Sequence, residues 1–195
     1  MAMPPSPASQ LQLFDAAPVL PDGLRYRAGF ITHVEERDLI AAIRELPLEP
    51  FQFGAFEGKR RVTWFGWRYD YTVQRLVEST PMPEWMLPLR ARAAALIGQP
   101  AELIRQALVT EYEPGAGIGW HRDKPMFETI IGISLGSDCT FRLRRKVGSA
   151  WERVKLAAEA RSIYTMDGSA RHDWEHSIPG VDAMRYSITF RTMKA

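Results

Sequence analysis

The sequence is poor in cysteine and lysine and has no long apolar run. Cys139 is its single cysteine. That excludes an internal disulfide and fits a reducing compartment, so a cytoplasmic location is expected. Cys139 opens a strand-like stretch, where a small buried residue is a simpler reading than a catalytic thiol. No apolar run approaches the roughly 20 residues that a helix needs to span a bilayer. The first ten residues, MAMPPSPASQ, lack the basic and apolar regions of a secretory leader. Charge of one sign is also scarce. The net charge is +2, which argues against binding polyanions through overall charge.

What is present is an ordinary globular balance. Of 195 residues, 46% are hydrophobic and 25% charged, enough for one domain with a real core. The basic residues are mostly arginine, the better fork for phosphates and carboxylates. Arg142, Arg144, Arg145 and Lys146 form a cluster that reads either as a phosphate contact or as a solvated strand end.

Residues 1 to about 22 hold five prolines and no periodicity, and read as a mobile N-terminal arm. Thr32 and Glu35 have capping-box spacing, and Leu39, Ile43 and Leu46 follow at helical intervals. A helix is expected over roughly 33–46, ended by Pro47 and Pro50. A second is expected over about 84–97, with Leu89, Ala93, Leu96 and Ile97 as its buried stripe and Gly98 as its cap. Beyond residue 100 the pattern is β, with strands expected over 106–112, 129–135, 139–145, 151–157, 162–167, 173–177 and 184–191. Many short strands between turn signals suggest a sandwich or jelly roll. Two N-terminal helices packed on one sheet make the class α+β.

His121 and Asp123 stand two apart in GWHRDKP, so on an extended chain they share a face. A second histidine would complete a two-His, one-carboxylate triad, which suits ferrous iron and leaves coordination positions open. Alone, an H-x-D triplet is common by chance. His33 reads as a surface or capping residue. His172 and His176 both remain candidates for the second histidine. The flanking sequence does not read as helix, which favours His176 and makes His172 a loop or pocket-edge residue. On the last strand, Arg185, Ser187, Thr189 and Arg191 alternate with Tyr186, Ile188 and Phe190. The polar face is either solvated or lines a barrel mouth, where the arginines would serve a dianionic acid. Thr110 and Tyr112 share one face of an earlier strand.

The order Tyr112-Glu-Pro114-Gly115, His121-Arg-Asp123, Trp174-Glu-His176-Ser-Ile178, then Arg185 to Arg191, resembles the AlkB family of Fe(II)/2-oxoglutarate dioxygenases. The likeness is strong over 105–192 and weaker over 23–100. It implies a double-stranded β-helix within one domain over 23–195, with the β-helix core over 105–192. It makes His121, Asp123 and His176 the iron ligands. It places 2-oxoglutarate on Arg185, with Tyr112, Thr110, Ser187 and Arg191 nearby and O2 as the second co-substrate. It implies oxidative dealkylation of alkylated bases in DNA or RNA, releasing succinate and formaldehyde. A substrate-recognition lid would span 51–72, with Trp64, Trp67, Arg61 and Tyr69, joined by Arg122 near the metal. Two positions depart from the family pattern: Thr110 stands where asparagine is frequent, and Pro125 where bacterial members carry an acid that reads the base. Pro125 keeps open a hydroxylase of a protein side chain or small molecule. A non-catalytic jelly-roll binding protein is the third reading. No obligate protein partner is evident, and no membrane association is expected.

Overall fold

The computed structural model describes residues 19–53, 56–70 and 73–194. Most of the expected N-terminal arm, residues 1–18, lies outside them, as do Gly54, Ala55, Tyr71 and Thr72 of the expected lid. A reciprocal side-chain cap opens the N-terminal third. After strand β1 (Leu24–Arg27), the Thr32 hydroxyl accepts from the Glu35 backbone N–H, and the Glu35 carboxylate accepts from that of Thr32. This reciprocal cap starts helix α1 (His33–Arg44), which buries Ile43 completely. Strands β2 (Glu49–Phe53), β3 (Phe56–Phe65), β4 (Trp67–Asp70) and β5 (Arg75–Glu78) follow.

A short 3-10 turn (Glu84–Met86) leads into helix α2 (Leu87–Leu96). Gly98 closes it in the left-handed region at φ +65°. Leu96, expected in the buried stripe, is 38% exposed. Met86, Leu89, Ala93 and Ala94 set the centre of that stripe, which leaves Leu96 at its edge.

The remainder is antiparallel. It comprises β6 (Ile104–Tyr112), β7 (Ile118–His121), β8 (Phe127–Leu135), β9 (Cys139–Val147), β10 (Ala150–Ala158) and β11 (Ile163–Met166). Helix α3 (Gly168–His172), β12 (Glu175–Ile178) and β13 (Arg185–Met193) complete it. From β6 onward, strands alternate between two sheets except at the β9–β10 hairpin. The large sheet runs β1-β11-β8-β13-β6-β3-β2 and the small one β10-β9-β12-β7, with β4–β5 a separate ribbon. This is the jelly roll of a double-stranded β-helix. Each expected strand after residue 100 is present with ends shifted by a residue or two. Two corrections apply. Strand β7 was not among the expected strands, and residues 168–172, read as non-helical, form α3.

Two cores result. Helices α1 and α2 pack on the outer face of the large sheet through Ile43, Leu89 and Ala93 against Val109, Ile133, Ile188 and Phe190. Between the sheets lie Phe141, Leu143, Leu156, Ile130, Tyr164 and Met166. Each such aliphatic or aromatic side chain contributes about 1.5–3 kcal/mol by leaving water. Gly132 faces Tyr164 across β8 and β11. A Cβ on Gly132 would lie 2.2 Å from the Tyr164 ring, so glycine is what lets the tyrosine lie across the sheet toward the site.

Candidate functional site

The inter-sheet space opens at one end into a cavity of about 870 Å³. Strand alternation decides what lines it. On β13, Tyr186, Ile188 and Phe190 join the helix-side core, so Arg185, Ser187, Thr189 and Arg191 face inward. On β6, Ala107 and Val109 face the helices, and Gln106, Thr110 and Tyr112 face the cavity. Backbone register sets Arg185 beside Tyr112, Ser187 beside Thr110 and Arg191 beside Gln106.

The small sheet supplies the facing wall. His121 ends β7 and is the register partner of His176 on β12. Their ring centroids are 4.2 Å apart. Asp123 lies just beyond β7, with its Oδ2 3.5 Å from His176 Nε2. One ligand atom from each of His121, Asp123 and His176 lies within 4.8 Å of the others, a spacing that can hold a metal ion. His121 Nδ1 is 2.9 Å from the Gly119 carbonyl, and donating to it leaves Nε2 as the lone-pair nitrogen.

The surroundings set the protonation of Asp123 and His176. Burial alone would raise the Asp123 carboxyl. The charge and hydrogen bond of Arg191 and the two neighbouring imidazoles together outweigh it and hold the group well below the usual carboxylate range. Arg191 Nε and Nη2 lie 2.8 and 2.6 Å from Asp123 Oδ1. Burial, with help from His121, pushes His176 down to about 3, so its imidazole is neutral at physiological pH.

Arg185 is buried to 1% exposure. Its Nη2 donates to Ser134 Oγ at 3.1 Å, but among the described residues Nε and Nη1 have no hydrogen-bond partner. A buried guanidinium with two idle donors is costly unless an anion meets it. The Tyr112 ring lies 4.7 Å from Arg185 Cζ. The donor set therefore fits a metal ion together with a carboxylate-bearing co-ligand.

Several groups here had no clear signal in the sequence. Gln106 bridges Arg191 Nη1 and the Trp67 carbonyl at 3.0 and 2.6 Å. Only its alternation with Thr110 and Tyr112 could have found it. Ser134 and Tyr164 sit in strands that read as plain core. Arg171, in the unexpected α3, carried no signal at all.

The expected substrate residues divide. Trp64, Tyr69 and Arg122 line the cavity. Lys124 Nζ lies 4.4 Å from the Tyr69 ring centroid. Arg61 is turned away, donating to the Glu111 carboxylate at 3.0 Å and the Leu48 carbonyl at 2.9 Å. The Trp67 ring does not line the cavity and stacks near Arg105. His172 sits at the cavity edge, 3.4 Å from Glu128 and outside the metal-competent group. His33 is exposed at the start of α1. Half-buried Cys139 has its thiol pushed up by burial.

Residues 25–191 match the model of the 2OG-Fe(II) oxygenase superfamily. The chain belongs to that superfamily. Within it the protein is AlkB-like. It is 27% identical over 206 residues to the Alkylated DNA repair protein ALKBH8 homolog of Arabidopsis thaliana, covering 88% of this chain and 57% of that one. It is 26% identical over 149 residues to the Alpha-ketoglutarate-dependent dioxygenase alkB homolog 3 of Rattus norvegicus, covering 69% of this chain and 50% of the relative. This superfamily member thus spans about half the length of these curated relatives. The solved structure of OsALKBH1 superposes with a TM-score of 0.68 at 16% identity, covering 89% of this chain and 98% of that one, and so shares the fold. Fe(II), 2-oxoglutarate and O2 are the reagents of the superfamily, and the histidine–aspartate–histidine group and idle Arg185 donors fit them. No helix among the described residues is long and apolar enough to cross a membrane.

Proposed function

We propose that this oxygenase dealkylates N-alkylated bases in nucleic acid. His121, Asp123 and His176 would hold the iron, and Arg185 the distal carboxylate of 2-oxoglutarate. When bound, iron and the keto acid use O2 to hydroxylate a nearby C–H bond; on an N-methyl group this ends in loss of formaldehyde, alongside succinate and carbon dioxide. The chain itself binds, orients and shields. Arg185 would offer charge-assisted hydrogen bonds to a carboxylate, and Tyr112, Thr110 and Ser187 flank it with hydroxyls. Arg191 fixes the free rotation of Asp123, so one carboxylate oxygen stays aimed at the ion. Phe141 and Tyr164, stacked at 4.6 Å, wall off the deep side from water.

The observation that carries the substrate reading is the cavity rim. Trp64 and Tyr69 offer flat rings, and Arg122 and Lys124 offer cations, around a mouth leading to the triad. An extruded base stacks on such rings while its phosphates meet the cations. The Arabidopsis thaliana relative, an alkylated DNA repair protein homolog by name, supports the same reading. The test is formaldehyde and succinate release from N-methylated single-stranded DNA and RNA oligonucleotides, against N-methylated peptides. Release from the oligonucleotides, stoichiometric with succinate, is expected. Release from peptides alone would overturn the proposal and favour the hydroxylase alternative.

A further inference from the structure

The arginine cluster of β9 has no part in the site described above, and its two faces do different things. Arg145 turns to one side, pairing with Glu152 at 2.6 Å beside the Trp174 ring. Arg142, Arg144 and Lys146 turn to the other, the outer face of the small sheet. Register sets Lys155 opposite Arg142, Arg153 opposite Arg144, and Trp151 opposite Lys146. On the other flank, β12 adds Glu175 and Ser177. The face thus gathers five cations and one carboxylate on a chain whose net charge is only +2. Glu175 pairs with Arg144 at 2.7 Å. Among the described residues no ion pair engages Lys146, Arg153 or Lys155, and all three are exposed.

Two indoles are set among these cations. The Arg144 guanidinium carbon lies 4.4 Å from the ring centroids of both Trp120 and Trp151, and Arg142 lies 5.1 Å from Trp120. A guanidinium between two rings is held flat and in place. Trp151 remains 37% exposed. Trp120 immediately precedes His121 and lines the cavity, as does Ser177. The charged face is therefore continuous with the mouth of the metal-competent site.

We infer that the outer face of the small sheet is a track for single-stranded nucleic acid, binding the backbone that flanks a base held in the cavity. The inference rests on the nucleic-acid reading of the site. Lysines and arginines spaced along β9 and β10 meet successive phosphates, and the exposed indole gives an unpaired base a surface to stack on without regard to sequence.

The test is fluorescence anisotropy of a labelled, unmodified single strand of ~20 nucleotides, as RNA and as DNA, between about 50 and 200 mM salt. The protein is the full chain loaded with Mn(II) and 2-oxoglutarate. Arg153→Glu with Lys155→Glu should weaken binding at least tenfold at low salt. It should also make the plot of log K against log salt shallower by about 1.4, the loss of two contacts at roughly 0.7 each. Trp151→Ala should weaken binding severalfold and leave that slope unchanged. Both variants should keep wild-type affinity for 2-oxoglutarate, showing an intact fold. If wild type and the double variant bind the strand with equal affinity and slope, the track is overturned. Wild type binding no strand at all, or binding anionic vesicles instead, overturns it too. In either case formaldehyde release from methylated oligonucleotides still judges the proposed function separately.

Discussion

Arg171 Nη2 donates to the Lys124 carbonyl at 2.6 Å, and the same nitrogen lies 2.9 Å from the Phe127 carbonyl and 3.3 Å from that of Asp123. A single buried guanidinium thus gathers three carbonyls of the turn that follows β7. That turn carries Asp123, so its shape fixes where the carboxylate stands. Removing Arg171 takes this donor from all three carbonyls; that of Lys124 still accepts from the Phe127 backbone N–H at 3.1 Å, and each carbonyl left unsatisfied costs about 1–3 kcal/mol. Arg171→Gln is expected to raise the Kd for Mn(II) at least tenfold by titration calorimetry. Arg171→Lys, which keeps the charge but not the fork, should fall between. Wild-type affinity in Arg171→Gln would show that the turn holds itself.

The metal-competent group makes a sharper prediction. His121→Ala, Asp123→Ala and His176→Ala should each lose Co(II) binding, read from visible absorption, and keep the far-ultraviolet circular dichroism of the parent. His172→Ala should keep both, because the His172 imidazole lies against Glu128 and outside the metal-competent group. Retention of metal by His176→Ala together with its loss in His172→Ala would reverse the assignment.

How far the sequence reaches is clear from these residues. Strand alternation was enough to put Arg185, Ser187, Thr189 and Arg191 on one face and to separate them from Tyr186, Ile188 and Phe190, because the period of a strand is local and strict. The spacing of His121 and Asp123 was legible for the same reason. The meeting of His176 with His121 was legible only through the motif order that resembles the family, since antiparallel pairing of β12 with β7 joins segments more than fifty residues apart. The short helix α3 was hidden because five residues are too few to show a helical period. Arg61 and Trp67 were expected at the site from the family resemblance and from the aromatic, arginine-rich composition of their segment. Composition says that a segment is aromatic and basic, but not which side chains turn inward.

Arg185 gives the test of the co-substrate pocket. Its idle Nε and Nη1 donors await an acid, and a hydrogen bond to a charged group contributes roughly 1.5–3 kcal/mol. Arg185→Gln should therefore weaken 2-oxoglutarate binding by more than about tenfold, measured as the absorption change of the Fe(II) complex under anaerobic conditions. Tyr112→Phe should have a smaller effect, since it removes one hydroxyl and leaves the ring packed on the guanidinium. Unchanged affinity in Arg185→Gln would move the carboxylate elsewhere in the cavity.

Acid should unfold the metal-free protein through the same residues that are proposed to bind the metal. His176 is pushed from its ordinary value of 6.5 down to about 3 by burial, so the unfolded chain takes up a proton that the folded one refuses. Its contribution to stability is whole above pH 6.5 and is lost as pH falls toward 3, at up to about 1 kcal/mol for each pH unit. Asp123 acts in the same direction but lower. Its folded carboxyl lies below the ordinary 3.8, so its contribution is present above that pH and is lost only as pH falls further. Urea midpoints of the chelator-treated protein should therefore fall steadily from pH 6.5 downward, with no matching change between pH 6.5 and 8. His176→Gln cannot take up a proton and should flatten the upper part of that slope while leaving the steep drop below pH 4. A His176→Gln profile parallel to wild type across pH 4–6.5 would show that other groups govern the acid limb.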